Sequence, residues 1–249
     1  MSFLQRHPFP VRAYFDRAVA FSFAFPENLL SSLLPRGLEL DTFEGMGFIT
    51  VALVWTRHLR MAGLPKWLGQ DFLLAGYRIF ARLHEDGGRK LRGLKIIRSE
   101  TDKKRMAIVG NLFTGYHYDH VRARMERNGD VDRVQTWNPS SGERNLDLAF
   151  RIRDDAPLPS GSPFKDWRTA RQFAGPMPFT FSSRPDGSFV VVEGVRTNWT
   201  PRPVEVVDWE IALFKDEPFC RAVPVLANAF VVERIDYRWK RGRLTNAAV

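Results

Sequence analysis

The stretch Tyr77-Arg78-Ile79-Phe80-Ala81-Arg82-Leu83-His84 alternates strictly and is followed at once by the turn Asp86-Gly87-Gly88. Successive side chains of a strand point to opposite faces, so Tyr77, Ile79, Ala81 and Leu83 share one face and Arg78, Phe80, Arg82 and His84 the other. The glycine pair turns the chain, and Leu91 to Arg98 reads as the partner strand. Such a strand faces two environments, and the segments on either side of it are read from there.

Toward the N-terminus, Arg17 to Phe25 is an apolar, aromatic run that reads as a strand. Pro26 opens a short helix with Leu29, Leu30, Leu33 and Leu34 at helical spacing, and Pro35 stops it. Gly37 to Glu44 reads as a turn and strand start, and Met46 to Thr56, β-branched and aromatic, as a buried strand. Arg57 to Gln70 carries Gly63, Pro65 and Gly69 and reads as a long irregular loop.

Toward the C-terminus, Thr101-Asp102 offers an N-cap to a helix over 103–113, with Gly115 as its stop. Asn128-Gly129 marks a hairpin between His120–Arg127 and Val131–Trp137. Leu146 to Arg153 reads as a strand, 154–163 as a loop and 163–173 as a short helix. Strands over 178–182 and 188–193 flank Pro185-Asp186-Gly187, and 204–209 and 229–239 are the last two. The sum predicts an α+β, mostly β fold with two or three short helices, in one domain over 1–249 that ends in a basic tail, 238–249.

Composition bounds the function classes. With 44% hydrophobic residues, 20 Phe and 7 Trp, the chain holds ample material for a packed core. Cys220 is the single cysteine, so no intramolecular disulfide forms, and a small buried core residue is the expected reading for it. No apolar stretch approaches the length needed to span a bilayer and residues 1–10 carry no apolar leader core, so a cytoplasmic protein with no membrane partner is expected. Net charge is +9, with 29 arginines against 8 lysines. Such a balance admits anionic partners without selecting among them, and the arginines are spread along the whole chain.

The common signatures of nucleotide sites, zinc proteases and serine hydrolases are absent. What remains is Gly115-Tyr116-His117-Tyr118-Asp119-His120, two phenols, two imidazoles and a carboxylate in six residues. His117 and His120 would meet on one face only in a helix, and Gly115 argues against one, so no metal site is expected. Tyr116 and Tyr118 suit either aromatic packing or contact with a ligand.

The order of elements around this cluster, together with Phe25-Pro26-Glu27, the run Leu33 to Leu40, and Trp199 with Pro201 and Pro203, resembles the acetoacetate decarboxylase-like superfamily from about Arg17 to Trp239. It looks closer still to the YqjF-like bacterial relatives of unknown function. The resemblance implies a barrel or cone of antiparallel strands around a pocket. It also implies that the decarboxylases' Schiff-base lysine falls on Tyr118 and the neighbouring lysine on Asp119. A phenol forms no imine, and a carboxylate raises a nearby amine's pKa, so Schiff-base decarboxylation is not expected. Lys95, Lys103 and Lys104 are the candidate substitutes, the last two at a helix start where exposure is expected.

The expected function is the binding of a small organic acid or apolar metabolite, without cofactor, by Tyr118, His117, Arg78, Tyr116, His120 and Trp199. Arg78 reads equally as a pocket contact for a carboxylate or as a surface residue on a polar face. If there is catalysis, His117 or His120 would carry the proton and Tyr118 would donate to an oxyanion. The alternative is a basic module for nucleic acid or another acidic partner, using Arg122, Arg124 and the basic tail, provided these share a face.

Overall fold

The computed structural model describes residues 4–175 and 177–248. Its first part holds β1 (Val11–Pro26), α1 (Glu27–Ser31), β2 (Leu38–Leu40), β3 (Met46–Met61), β4 (Gln70–His84) and β5 (Lys90–Thr101). Then follow α2 (Lys104–Phe113), β6 (Tyr118–His120), β7 (Arg122–Asn128), β8 (Val131–Trp137) and β9 (Arg144–Ile152). The last part holds α3 (Trp167–Phe173), β10 (Phe179–Ser183), β11 (Phe189–Arg196), β12 (Arg202–Ile211), β13 (Val225–Trp239) and β14 (Arg243–Thr245). The chain is mostly β, as the alternating stretches predict.

Neighbouring strands run β11-β10-β5-β4-β3-β1-β13, and β11 also pairs with β13 from Gly194↔Trp239 to Arg196↔Tyr237. Those pairings make a closed, cone-like circuit with an inner face. Beyond β13 the path continues through β12, β9, β8 and β7. This extension covers the outer face of the circuit, where Val134, Leu148 and Phe150 share a core with Phe21, Leu53 and Tyr77. Each such large side chain contributes about 1.5–3 kcal/mol relative to exposure.

Side-chain size decides where space remains. On β1 the outward positions Val19, Phe21 and Phe23 fill that core, while Ala18, Ala20 and Ser22 face inward. β3 repeats the pattern with Ile49, Val51 and Leu53 outside and Thr50 and Ala52 inside. Small inner residues on adjacent strands leave a cavity where larger ones would have closed it.

Several expectations need correction. The segment after Arg57 is not one long loop: β3 continues to Met61 and β4 starts at Gln70, because a bulge between Thr56 and Leu59 lets the polar run Arg57-His58 bend while staying paired. Asp102 does not cap α2; its Oδ1 accepts from the Leu73 N–H at 2.8 Å, and the N-cap is Lys103. Cys220 is exposed, because the turn Phe219–Arg221 sends Phe219 inward instead, against Phe25 and Phe214. The pairs β5–β10 and β5–β6 are parallel, since helix-bearing connections return the chain in the same direction. Residues 243–245 of the basic end pair with β11.

Candidate ligand-binding site

Inside the circuit lies a cavity of about 160 Å³, walled by β1, β3, β4, β5, β10, β11 and β13 and closed in part by β6. Arg78 projects into it from β4, between the inward neighbours Leu74 and Phe80. Its Nε is buried without a hydrogen-bond partner, and burial lowers its pKa below the ordinary arginine value, although Tyr237, Tyr118 and Tyr116 oppose that shift. A guanidinium stays protonated in a protein. No carboxylate lines the cavity among the described residues. The buried acids are engaged elsewhere: Asp41 with Arg82 and Arg92, Asp147 with Arg133 and Arg144, Glu85 with Arg243. Glu100 accepts from Thr136 Oγ1 at 2.8 Å, Asn145 Nδ2 at 3.1 Å and the Tyr77 hydroxyl at 3.3 Å. Arg78 is therefore a half-buried cation, its Nε covered, facing the open space of the cavity.

Three phenols surround it. Tyr116 and Tyr118 both line the cavity, with ring centroids 6.4 Å apart. Tyr116 precedes β6, and His117 between the two tyrosines takes φ +52° and is exposed on the outside. The Tyr116 hydroxyl lies 2.7 Å from Thr180 Oγ1, and burial raises its pKa. Burial pushes the Tyr118 phenol up to about 12, with the Arg78 charge pulling the other way. At neutral pH both are O–H donors.

Helix α2 holds Tyr118 in place. Asn111 accepts from the Tyr118 N–H at 2.7 Å and donates to the Tyr118 carbonyl at 2.8 Å, pairing with the strand as another strand would. A Cβ on Gly110 would stand 2.5 Å from the Tyr118 ring, so the helix approaches this closely only because position 110 has no side chain.

Of the residues singled out from the sequence, Arg78, Tyr116, Tyr118 and Trp199 line the cavity together. His117 is exposed and lies in an outer groove with Lys95, Asp119 and Arg184, which Tyr118 also borders. His120, on β6 opposite Thr101, does not line the cavity. Lys103 and Lys104 are exposed at the start of α2, and no lysine is among the described residues lining the cavity.

Two participants escaped the sequence reading. Arg196 of β11 places its guanidinium 4.3 Å from the Trp199 ring centre, and desolvation lowers its pKa while Tyr237 opposes. Tyr237 of β13 lines the same wall, its pKa raised by burial against the charges of Arg196 and Arg78. The usable signal was the small-large alternation Ala18-Val19-Ala20-Phe21-Ser22-Phe23, which marks an inner face with room on it.

The closed circuit has counterparts among solved structures, which are similar to this chain in fold. An acetoacetate decarboxylase from Legionella pneumophila matches with a TM-score of 0.62 at 15% identity, over 96% of this chain and 88% of that one. The enduracididine biosynthesis enzyme MppR complexed with pyruvate matches at 0.61 and 11% identity, over 95% and 90%. An acetoacetate decarboxylase-like enzyme from Sphingomonas wittichii RW1 matches at 0.56 and 14% identity, over 97% and 92%. The fold is thus that of the acetoacetate decarboxylase-like superfamily. Residues 13–234 match the family DUF2071, whose description reads uncharacterized conserved protein, and the chain belongs to that family. A search among curated proteins finds no match.

Proposed function

We propose that this protein binds a small organic acid inside the circuit, carboxylate on Arg78, and does so without Schiff-base chemistry. The observation that carries the reading is the Arg78 guanidinium, its Nε buried without a hydrogen-bond partner, in a cavity with no acid among the described residues lining it. A desolvated cation left alone is costly, and a bound carboxylate would offset that cost through paired, charge-assisted hydrogen bonds. Tyr118 and Tyr237 supply donors beside it, and Arg196 a second positive charge. Pyruvate, with which MppR is complexed, belongs to this ligand class. Without a lysine or a histidine among the described residues of the wall, imine formation and histidine proton transfer have no support; an oxyanion formed in the pocket would be met by Arg78 and phenol donors.

The test is calorimetric titration of pyruvate, acetoacetate and butyrate into wild type and Arg78→Leu, with borohydride trapping alongside. Binding to the wild type, its loss in the variant and no covalent adduct are expected. Failure of all three acids to bind, or a trapped adduct on a lysine, would sink the reading.

No observation favours the acidic-macromolecule alternative. β7, with Arg122 and Arg124, and β14, with Arg243, stand at opposite ends of the strand order. Arg124 is also paired with Glu126, and Arg243 with Glu85.

A further inference from the structure

A second cavity, of about 280 Å³, opens at the end of the circuit where β1 and β4 begin and β3 and β13 end. Phe15, Leu74, Tyr116, Tyr118 and Trp239 line both spaces, which therefore stand back to back across a single layer of largely aromatic side chains. Along β4 the inward residues Phe72 and Leu74 face the second space and Leu74, Arg78 and Phe80 the first, so one strand threads both.

The two cavities differ in chemistry. Arg78 and Arg196 face the inner one. The outer one is walled chiefly by apolar groups from β1, β3, β4 and α2, and its rim includes Phe9, Met61, Leu64 and Leu68, each 38–45% exposed. His7, the buried imidazole on that wall, has its pKa lowered by burial to about 4 and is neutral at physiological pH. Arg60 stands at the rim but donates to the carbonyls of Leu64 and His58. The enclosed cation without a partner is thus on the inner side, and the exposed apolar surface on the outer.

Resting on the reading of Arg78 as a carboxylate site, we infer that the ligand class is an amphipathic monocarboxylic acid: its head bound at Arg78, its hydrocarbon chain passing the Phe15–Tyr118–Trp239 layer into the outer cavity. Size supports this. The inner cavity alone is smaller than ligand pockets usually are, roughly 300–1,000 Å³, and the two joined fall within that range. From Leu74 to Arg78 the strand rises about 14 Å at roughly 3.4 Å per residue, a distance an extended acyl chain covers. A chain so placed would also cover the apolar rim, whose exposure otherwise has no compensation.

The experiment is a calorimetric series on the full chain with acetate, butyrate, hexanoate, octanoate, decanoate and dodecanoate. Affinity is expected to rise by about fourfold for each buried methylene and then level off once the outer cavity is full. Val109→Phe, which narrows that cavity from α2, is expected to move the plateau to shorter acids, and Arg78→Leu to weaken every member of the series. If Val109→Phe does not fold, the wild-type series alone decides. Equal affinity for butyrate and decanoate would overturn the inference while leaving Arg78 as the site of a small acid. Tight binding of decanoate that is indifferent to Arg78→Leu would overturn it too. No binding by any acid would instead remove the reading on which it rests.

Discussion

The guanidinium of Arg78 lies back over Gly76, two residues away on the same face of β4: a Cβ at Gly76 would stand 2.9 Å from Nη2 and 3.0 Å from Nε. The glycine gives the side chain its seat. Gly76→Ala is expected to shift the guanidinium, which is the movable end of a flexible chain, and leave the strand intact. Stability should change by less than about 1 kcal/mol in urea denaturation, while carboxylate affinity falls about tenfold or more by calorimetry. Unchanged affinity would mean that the seat of Arg78 does not govern the ligand.

Arg78 itself should show opposite effects on stability and binding. Arg78→Leu removes a desolvated, unpaired cation, so the ligand-free protein is expected to gain about 1 kcal/mol or more, as seen in its denaturation midpoint. A loss of stability on this substitution would show that the guanidinium has a partner that offsets its burial.

Tyr116 and Tyr118 are separable by the same chemical change. Tyr116→Phe breaks the bond to Thr180 and is expected to cost about 1 kcal/mol of stability. Tyr118 is held through its backbone by Asn111, so Tyr118→Phe should leave stability within about 0.5 kcal/mol and weaken acid binding severalfold. The reverse pattern would assign Tyr118 to packing alone.

Acid binding should be flat between about pH 6 and 9. Arg78 stays charged and Tyr118, held at about 12, stays protonated throughout, and no histidine lines the inner cavity among the described residues. An inflection near the ordinary histidine range, lost in His117→Ala, would bring that residue back into the site.

Acid should unfold the protein partly through Asp147. Its burial raises the pKa, but bonds from Arg133 at 2.6 and 2.8 Å and Gln135 at 2.7 Å, with Arg144, outweigh this and lower it on balance. A depressed carboxyl pKa stabilises fully above the unfolded value, about 3.9, and that contribution is lost as pH falls through the folded value. Asp147→Asn should therefore be less stable at neutral pH and lose less on acidification below about pH 4, measured by denaturation at several pH values. An acid slope equal to the wild type's would refute this role.

How much of this was legible beforehand follows from how local each signal is. Strand alternation, the Asn128-Gly129 turn and the helix at 104–113 depend on neighbours a few residues apart, so the sequence alone determined that the chain is β-rich with short helices. That Tyr116 and Tyr118 both enter the cavity was not legible, because His117 between them takes φ +52° and breaks the extended pattern. What β13 presents was not legible: Arg234 takes φ +55°, and the inward positions change from Phe230 and Val232 before it to Ile235, Tyr237 and Trp239 after it. β13 pairs with β1 and, at its end, with β11, so the switch decides which of its side chains enter the circuit. Only the tertiary structure decided that Arg78 is a cavity cation and not a surface one. Arg78 and Arg82 sit on one face of one strand, yet Arg82 finds Asp41, forty-one residues away in sequence, while Arg78 finds no acid. Partners of that kind are set by circuit closure, a long-range event that no local pattern encodes.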